Sequence, residues 1–240
     1  MKAILLAAGA GTRLRPLTDH TPKCLVPIDG VPLLGIWFKL LRYHGVDDVL
    51  INTHHLADQV REFVNRREDR GLKVTLFHEP KLLGSGGTIR ANKDFVKREE
   101  RFLILYADNL TDVDLGEFLR LHVARKSFFT MGLFTTPEPR ECGIAALDAD
   151  DRIVEFVEKP EEPKSNLANS GLYVATPGLF ELMPDREFID FGFDVLPLIA
   201  GEMFGYRIRQ YFCDLGTPER LERARREWPL RERGPAFSQT

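Results

Sequence analysis

LLAAGAGTRLRPL, Leu5 to Leu17, runs an apolar segment straight into a small glycine turn and then two arginines. Many phosphate cradles begin this way, because glycine lets the backbone turn its N–H groups toward an anion. The residues after the turn rule out the two most familiar cradles. A P-loop closes with Gly-Lys-Ser/Thr, whereas Gly11 precedes Thr12 and Arg13. A dinucleotide fingerprint needs a third glycine where Leu14 stands, and the next predicted strand ends in Asn52-Thr53 rather than an acid. A nicotinamide-dependent oxidoreductase does not fit. Arg13, Arg15 and Lys23 are spaced by Pro16 and Pro22, so the cations sit on a stiffened loop. Guanidinium and ammonium groups beside a nest of amides suit a polyphosphate.

Outward from this loop, strand-like and helix-like segments alternate. Lys2 to Ala7, Asp48 to Thr53, Lys73 to Glu79 and Arg101 to Asp108 are short apolar runs. Leu33, Leu34, Trp37, Leu40 and Leu41 recur at helical spacing before Gly45, and Leu56, Val60 and Phe63 repeat the pattern. Apolar strands separated by helices predict a mainly parallel sheet covered on both faces. After Phe128 the pattern turns to strands with few helices between them, and Asp148 to Asp151 reads as a hairpin turn. Late helices are expected near Pro177 to Met183, Phe193 to Gly201 and Thr217 to Glu227. The fold class is α/β: a three-layer α/β/α, Rossmann-like architecture with a mixed, mainly parallel central sheet and a small antiparallel insertion. One domain is expected over residues 1–228, with 229–240 as a fraying tail.

With 43% hydrophobic content, 240 residues can bury a full core. A net charge of −3 argues against a general nucleic-acid binder, so any anion site is local. No apolar stretch approaches a membrane span, and Met1-Lys2 leads into a strand rather than a signal peptide. Cys24, Cys142 and Cys213 are far apart and show no CxxC spacing, which predicts a reducing, cytoplasmic setting and no structural zinc.

LLAAGAGTRLRPLTDHTPK, Leu5 to Lys23, resembles the G-x-G-T-R-x-x-P-L-T…P-K signature of the sugar-1-phosphate nucleotidylyltransferases. The resemblance continues in EKPEEPKSNLANSGLY (Glu158 to Tyr173), in DLGTPERLERA (Asp214 to Ala224) and in YADN (Tyr106 to Asn109), where Ala107 replaces the usual Gly. Cys24 stands where the family often has Pro or Ala. The resemblance implies a nucleotidyltransferase fold. The implied reaction joins a nucleoside triphosphate to a sugar 1-phosphate by in-line attack on the α-phosphorus and releases pyrophosphate. The nucleophile is already an anion, so such chemistry needs cations and Mg²⁺ rather than a general base.

Carried over residue by residue, the resemblance implies that Ala8, Gly9, Gly11, Thr12 and Arg13 meet the nucleotide. Arg13 then clamps the triphosphate and the leaving pyrophosphate, Lys23 neutralises the nucleotide phosphates, and Lys159 holds the sugar phosphate. Asp108 and Asp214 become a magnesium pair, although about a hundred residues part them. Gly143, Glu158, Asn169 and Ser170 are placed at the sugar. His78 to Ile89, HEPKLLGSGGTI, is the expected base-reading loop, with Glu79, Gly84 and Ser85 at the nucleotide. A carboxylate at Glu79 can accept from both N1–H and the 2-amino group of guanine. The loop is similar to that of guanylyl-transferring relatives, which points to GTP with mannose or manno-heptose 1-phosphate. Uracil N3–H could also meet Glu79, so a UTP- or dTTP-using member stays open, as does a non-catalytic sensor. The residues after Ala224 are few, so no β-helix domain is expected within this sequence. A homodimer is the expected assembly, although no stretch of sequence decides it.

Overall fold

The computed structural model of the chain describes residues 1–67, 71–228 and 235–237. In chain order its elements are β1 (Lys2–Leu6), β2 (Pro27–Ile28), β3 (Val31–Pro32), α1 (Leu33–Tyr43), β4 (Asp48–Thr53), α2 (Ala57–Arg66) and β5 (Lys73–His78). Then come α3 (Gly84–Ala91), α4 (Lys93–Val96), β6 (Phe102–Tyr106), β7 (Asn109–Thr111), α5 (Leu115–Ala124), β8 (Phe129–Thr135), β9 (Gly143–Leu147) and β10 (Arg152–Glu158). The remainder is β11 (Leu167–Ala175), α6 (Leu179–Leu182), α7 (Phe191–Asp194), β12 (Met203–Arg207), β13 (Phe212–Asp214) and α8 (Pro218–Glu227). Most of the expected tail, 229–240, lies outside the described residues. Among the described residues no helix is long and apolar enough to cross a membrane.

The chain forms two compact units, each assembled from separated segments. The first takes residues 1–82, 106–114 and 210–240, and the second takes 83–105 and 115–209. In the first unit β5, β4 and β1 lie parallel in that order, with Lys2 opposite Asp48 and Asp48 opposite Lys73. Buried Val49, Leu50 and Ile51 explain why β4 reads as a continuous apolar run. α1 buries Leu33, Leu34, Ile36, Trp37, Phe38, Leu40 and Leu41, and Gly45 just beyond it takes a left-handed φ of 72°, which glycine adopts at little cost. A second, very small ladder pairs β13 with β7, setting Asp214 opposite Asn109. The indole N–H of Trp37 donates to the Asn109 carbonyl at 3.0 Å, and Thr111 Oγ1 donates to the Tyr211 carbonyl at 2.6 Å. These bonds fix the short ladder.

In the second unit, β6 pairs with β11, and β11 runs on through β8, β12 and β10 to β9. β9 also pairs with β11 at Ile144 and Ala168, so β11, β8, β12, β10 and β9 close into a ring of pairings. Only β8 and β12 are parallel in this ring. The antiparallel part, expected as a small insertion, therefore makes up most of the second unit's strands. The ring is thinnest where β9 meets β11, at one residue pair, and where β10 meets β12, at two.

HEPKLLGSGGTI corrects an expectation. Its second half is not a loop but the first turns of α3. Glycine disfavours helix, and here packing outweighs propensity. A Cβ on Gly86 would lie 2.5 Å from Ile189 Cγ2, and one on Gly84 or Gly87 would strike the carbonyl of Ile189 or Glu187. Gly86 and Gly87 donate their N–H groups to the Ile189 carbonyl at 2.8 and 3.1 Å. These glycines admit a neighbouring backbone segment, so close approach to a base is not needed to explain them.

Candidate functional site

The loop after β1 is built from three short 3-10 turns, Thr12–Leu14, Leu17–Asp19 and Lys23–Leu25. Gly11 enters it with a left-handed φ of 63°, and a Cβ there would sit 2.8 Å from Thr18 Cγ2. The Thr18 hydroxyl donates to the Gly11 carbonyl at 2.8 Å, which folds the loop on itself. His55 Nε2 meets the Thr18 carbonyl at 2.8 Å, and Gln59 donates to the His20 carbonyl at 3.0 Å. The cation loop is thus pinned by the segment that follows β4. Thr12 and Arg13 stay exposed, as does Gly9, beside which no atom would meet a Cβ.

Lys23 differs from the arginines in being 9% exposed. Its Nζ lies 2.6 Å from Asp108 Oδ2 and 3.8 Å from Asp214 Oδ1. Asp108 precedes β7 and Asp214 ends β13, so the small ladder brings the two carboxylates to one ammonium. Asp214 Oδ2 also accepts from Arg220 Nη1 at 2.9 Å. A Cβ on Gly216 would fall 2.9 Å from Asp214 Oδ2 and 3.0 Å from Arg13 Nη2, so this glycine leaves room for Arg13 beside Asp214. Burial and the Asp108 charge push the Asp214 carboxyl above its ordinary range, while Lys23, Arg220 and Arg13 pull it back. Arg13 and Lys23 of the loop, and the Asp108–Asp214 pair that the resemblance implied, belong to one cluster in the first unit.

The donor set fits magnesium. Mg²⁺ takes one or two carboxylates and completes its octahedron with phosphate oxygens and water. Among the described residues there is no group of three His, Cys, Asp or Glu side chains that could hold a metal.

Glu79 is 1% exposed. Its Oε1 accepts from Asn52 Nδ2 at 2.8 Å, and Asn52 Oδ1 accepts from the Ala7 N–H at 2.6 Å. The backbone donor fixes the amide orientation, because only Oδ1 can accept from it. This bridge ties the end of β1 to the residue after β5. The expected base-reading carboxylate is spent, at least at Oε1, inside the first unit. Asn52→Leu removes both bonds while keeping the same side-chain branching and is expected to cost about 2 kcal/mol in urea unfolding of the full chain. Unchanged stability would show that the bridge holds nothing.

In the second unit, β9 and β10 pair Gly143 with Glu158. A Cβ on Gly143 would strike Glu158 Oε2, and one on Gly192 would lie 2.7 Å from the same oxygen. Glu158 therefore occupies a slot walled by two glycines. Burial, with the nearby Asp190 charge, raises its carboxyl to about 7, and Lys159 opposes the shift. Lys159 is exposed and holds a left-handed φ of 49°, uncommon for a residue other than glycine.

Three of the residues expected at a ligand have partners inside the second unit. Asn169 Nδ2 donates to the Tyr173 hydroxyl at 2.7 Å, and its Oδ1 accepts from the Gly171 N–H at 2.9 Å. Ser170 is 2% exposed, and its hydroxyl donates to the Gly132 carbonyl at 2.8 Å. Both serve the irregularity where β11 changes register against β8. Ser85 Oγ accepts from the Phe191 N–H at 3.0 Å. Arg220, Asn52 and Asp190 carried no expectation from the sequence. Arg220 had a legible signal: it stands three residues after Thr217, whose hydroxyl accepts its N–H at 3.3 Å as an N-cap, and six after Asp214.

A glycine turn with an adjoining cation–carboxylate cluster characterises the first unit of this α/β protein. The chain matches the nucleotidyl transferase family over residues 2–229 and belongs to that family. It is 32% identical, over 83% of its length, to a UTP–glucose-1-phosphate uridylyltransferase of Synechocystis, of which it covers 55%. It is 31% identical, over 95% of its length, to a D-glycero-alpha-D-manno-heptose 1-phosphate guanylyltransferase of Aneurinibacillus thermoaerophilus, of which it covers 98%. The chain spans only 55 to 62% of the length of three of the curated relatives it matches, the Synechocystis protein among them. HddC from Yersinia pseudotuberculosis, solved in complex with GMP-PN, superposes with a TM-score of 0.80 at 25% identity, covering 95% of this chain and 99% of that one. The fold is the nucleotidyltransferase fold.

Proposed function

We propose that the chain is a sugar-1-phosphate nucleotidylyltransferase that joins a nucleoside triphosphate to a sugar 1-phosphate and releases pyrophosphate. The observation that carries the reading is the Lys23 ammonium held between Asp108 and Asp214, beside the Arg13 loop. In this reading Arg13 clamps the β- and γ-phosphates and then the leaving pyrophosphate. Lys23 exchanges its carboxylate partners for nucleotide phosphate oxygens. Asp108 and Asp214 hold Mg²⁺, which supplies charge neutralisation at the α-phosphate when bound. In the second unit Lys159 takes the sugar phosphate, and Glu158 accepts from sugar hydroxyls.

The nucleotide is GTP and the sugar is mannose or manno-heptose 1-phosphate. Support comes from the heptose 1-phosphate guanylyltransferase that matches this chain end to end and from the GMP-PN complex of HddC. Glu79 supports it less than its position suggested, because its carboxylate is committed to Asn52. The Synechocystis relative favours a second reading, UTP with glucose 1-phosphate. Free cysteines at 24, 142 and 213 accord with a reducing, cytoplasmic setting. A pyrophosphate-release panel of nucleoside triphosphates against hexose and heptose 1-phosphates tests class and specificity together. GTP with a manno-configured sugar is the expected best pair. Saturation by UTP or dTTP at far lower concentration overturns the guanine assignment, and no release from any pair overturns the enzyme.

A further inference from the structure

Three cations surround the two carboxylates of the first unit. Lys23 reaches both, Arg220 holds the second oxygen of Asp214, and Arg13 stands across Gly216 from that same carboxylate. Counted as formal charges, the cluster is net positive before any substrate arrives. The N-terminal turn of α8, whose dipole is positive, begins at Pro218 beside it. A free divalent cation approaching Asp214 meets this positive field. A divalent cation already chelated by a triphosphate carries net negative charge and is drawn in.

We propose that Arg220 sets this order: it holds down the affinity of the Asp108–Asp214 pair for a free divalent ion, so that the metal enters with the nucleoside triphosphate. Lys23 and Arg13 have phosphates to receive in the proposed reaction. Arg220 has a different placement, since it is 17% exposed, capped into the first turn of α8 and bonded to Asp214 Oδ2 at 2.9 Å. It engages one oxygen of Asp214 and leaves the carboxylate a single side from which to meet a metal. It is a positioning residue, acting through Asp214 rather than on substrate. The inference rests on the nucleotidylyltransferase reading for the identity of the metal site, but its test involves no turnover.

The test is Mn²⁺ binding to the full chain without nucleotide, followed by electron paramagnetic resonance. Removing one positive charge about 5 Å from a divalent ion in a water-screened site changes affinity by roughly tenfold. Arg220→Gln is therefore expected to bind Mn²⁺ roughly tenfold more tightly than the unaltered chain. Arg220→Lys keeps the charge and stays within about threefold of it. Arg220→Met, which keeps the aliphatic stem, repeats the gain should the glutamine variant fold poorly. The gain disappears when Asp214→Asn is added. Unchanged or weaker Mn²⁺ binding in the neutral variants, or a gain that survives loss of Asp214, overturns the proposal. A chain that shows the predicted shift but releases no pyrophosphate in the substrate panel would lose the catalytic reading while keeping this one.

Discussion

Replacing Lys23 by alanine is expected to lower turnover by roughly 10²-fold or more, the loss typical of one preorganised donor aimed at transition-state charge. The geometry adds a second effect. The same ammonium sits 2.6 Å from Asp108 and 3.8 Å from Asp214, and removing it leaves two carboxylates to repel each other. Both carboxylates are about a third exposed, so water blunts the repulsion to about 1–2 kcal/mol, below the cost of breaking a fully buried pair. The variant should therefore melt lower than the parent chain without divalent metal. Millimolar Mg²⁺ should return part of that loss by standing in for the missing charge. A purely structural lysine would show the stability effect with near-normal turnover at saturating substrate. That result would remove Lys23 from the chemistry.

Much of this site was legible in the sequence because its parts are local. Gly11, Arg13 and Lys23 sit on one short loop, and that loop follows β1 as the apolar run implies. The sheet of the first unit was legible for the same reason, since buried parallel strands show as unbroken apolar runs. Bringing Asp108 to Asp214 was not. It depends on β7 and β13, three residues each, and pairs that short have no period to detect. Only the resemblance to a family joined them.

The second half of HEPKLLGSGGTI reads as a loop in the sequence because glycines speak for turns when no tertiary partner is known. Ile189, a hundred residues on, turns the same glycines into a helix by filling the space where their Cβ atoms would be. Asn169 and Ser170, placed at the sugar by the family resemblance, also have partners within the fold. Those bonds depend on the register change of β11 against β8, which no single segment of sequence encodes. Asn52 was noticed only as the missing acid of a dinucleotide site. Its bond to Glu79 needs two strand ends side by side, which no single segment encodes.

Glu158→Gln is expected to lower kcat/KM for the sugar phosphate by about 10- to 100-fold at pH 8, in the range lost when a buried hydrogen-bonding site leaves polar groups poorly paired. The pH dependence separates this role from a packing role. Burial and the Asp190 charge hold the Glu158 carboxyl near 7, against an ordinary 4.5. As an acceptor of sugar hydroxyls it works best ionised, so kcat/KM for the sugar phosphate should climb as pH rises through about 7. In the glutamine variant that rise should be absent. Stability moves the opposite way. A carboxyl whose folded value lies above its unfolded one stabilises the fold below the unfolded value and loses that contribution as pH rises toward the folded value. The parent chain should thus weaken between about pH 4.5 and 7 relative to Glu158→Gln, by roughly 3 kcal/mol at most. Solvent access to the half-buried group should reduce this to about 1–2 kcal/mol. Activity rising while stability falls over one pH window is what a carboxylate kept for binding produces. If the glutamine variant instead keeps the parent's pH–rate profile, Glu158 only fills the slot between Gly143 and Gly192.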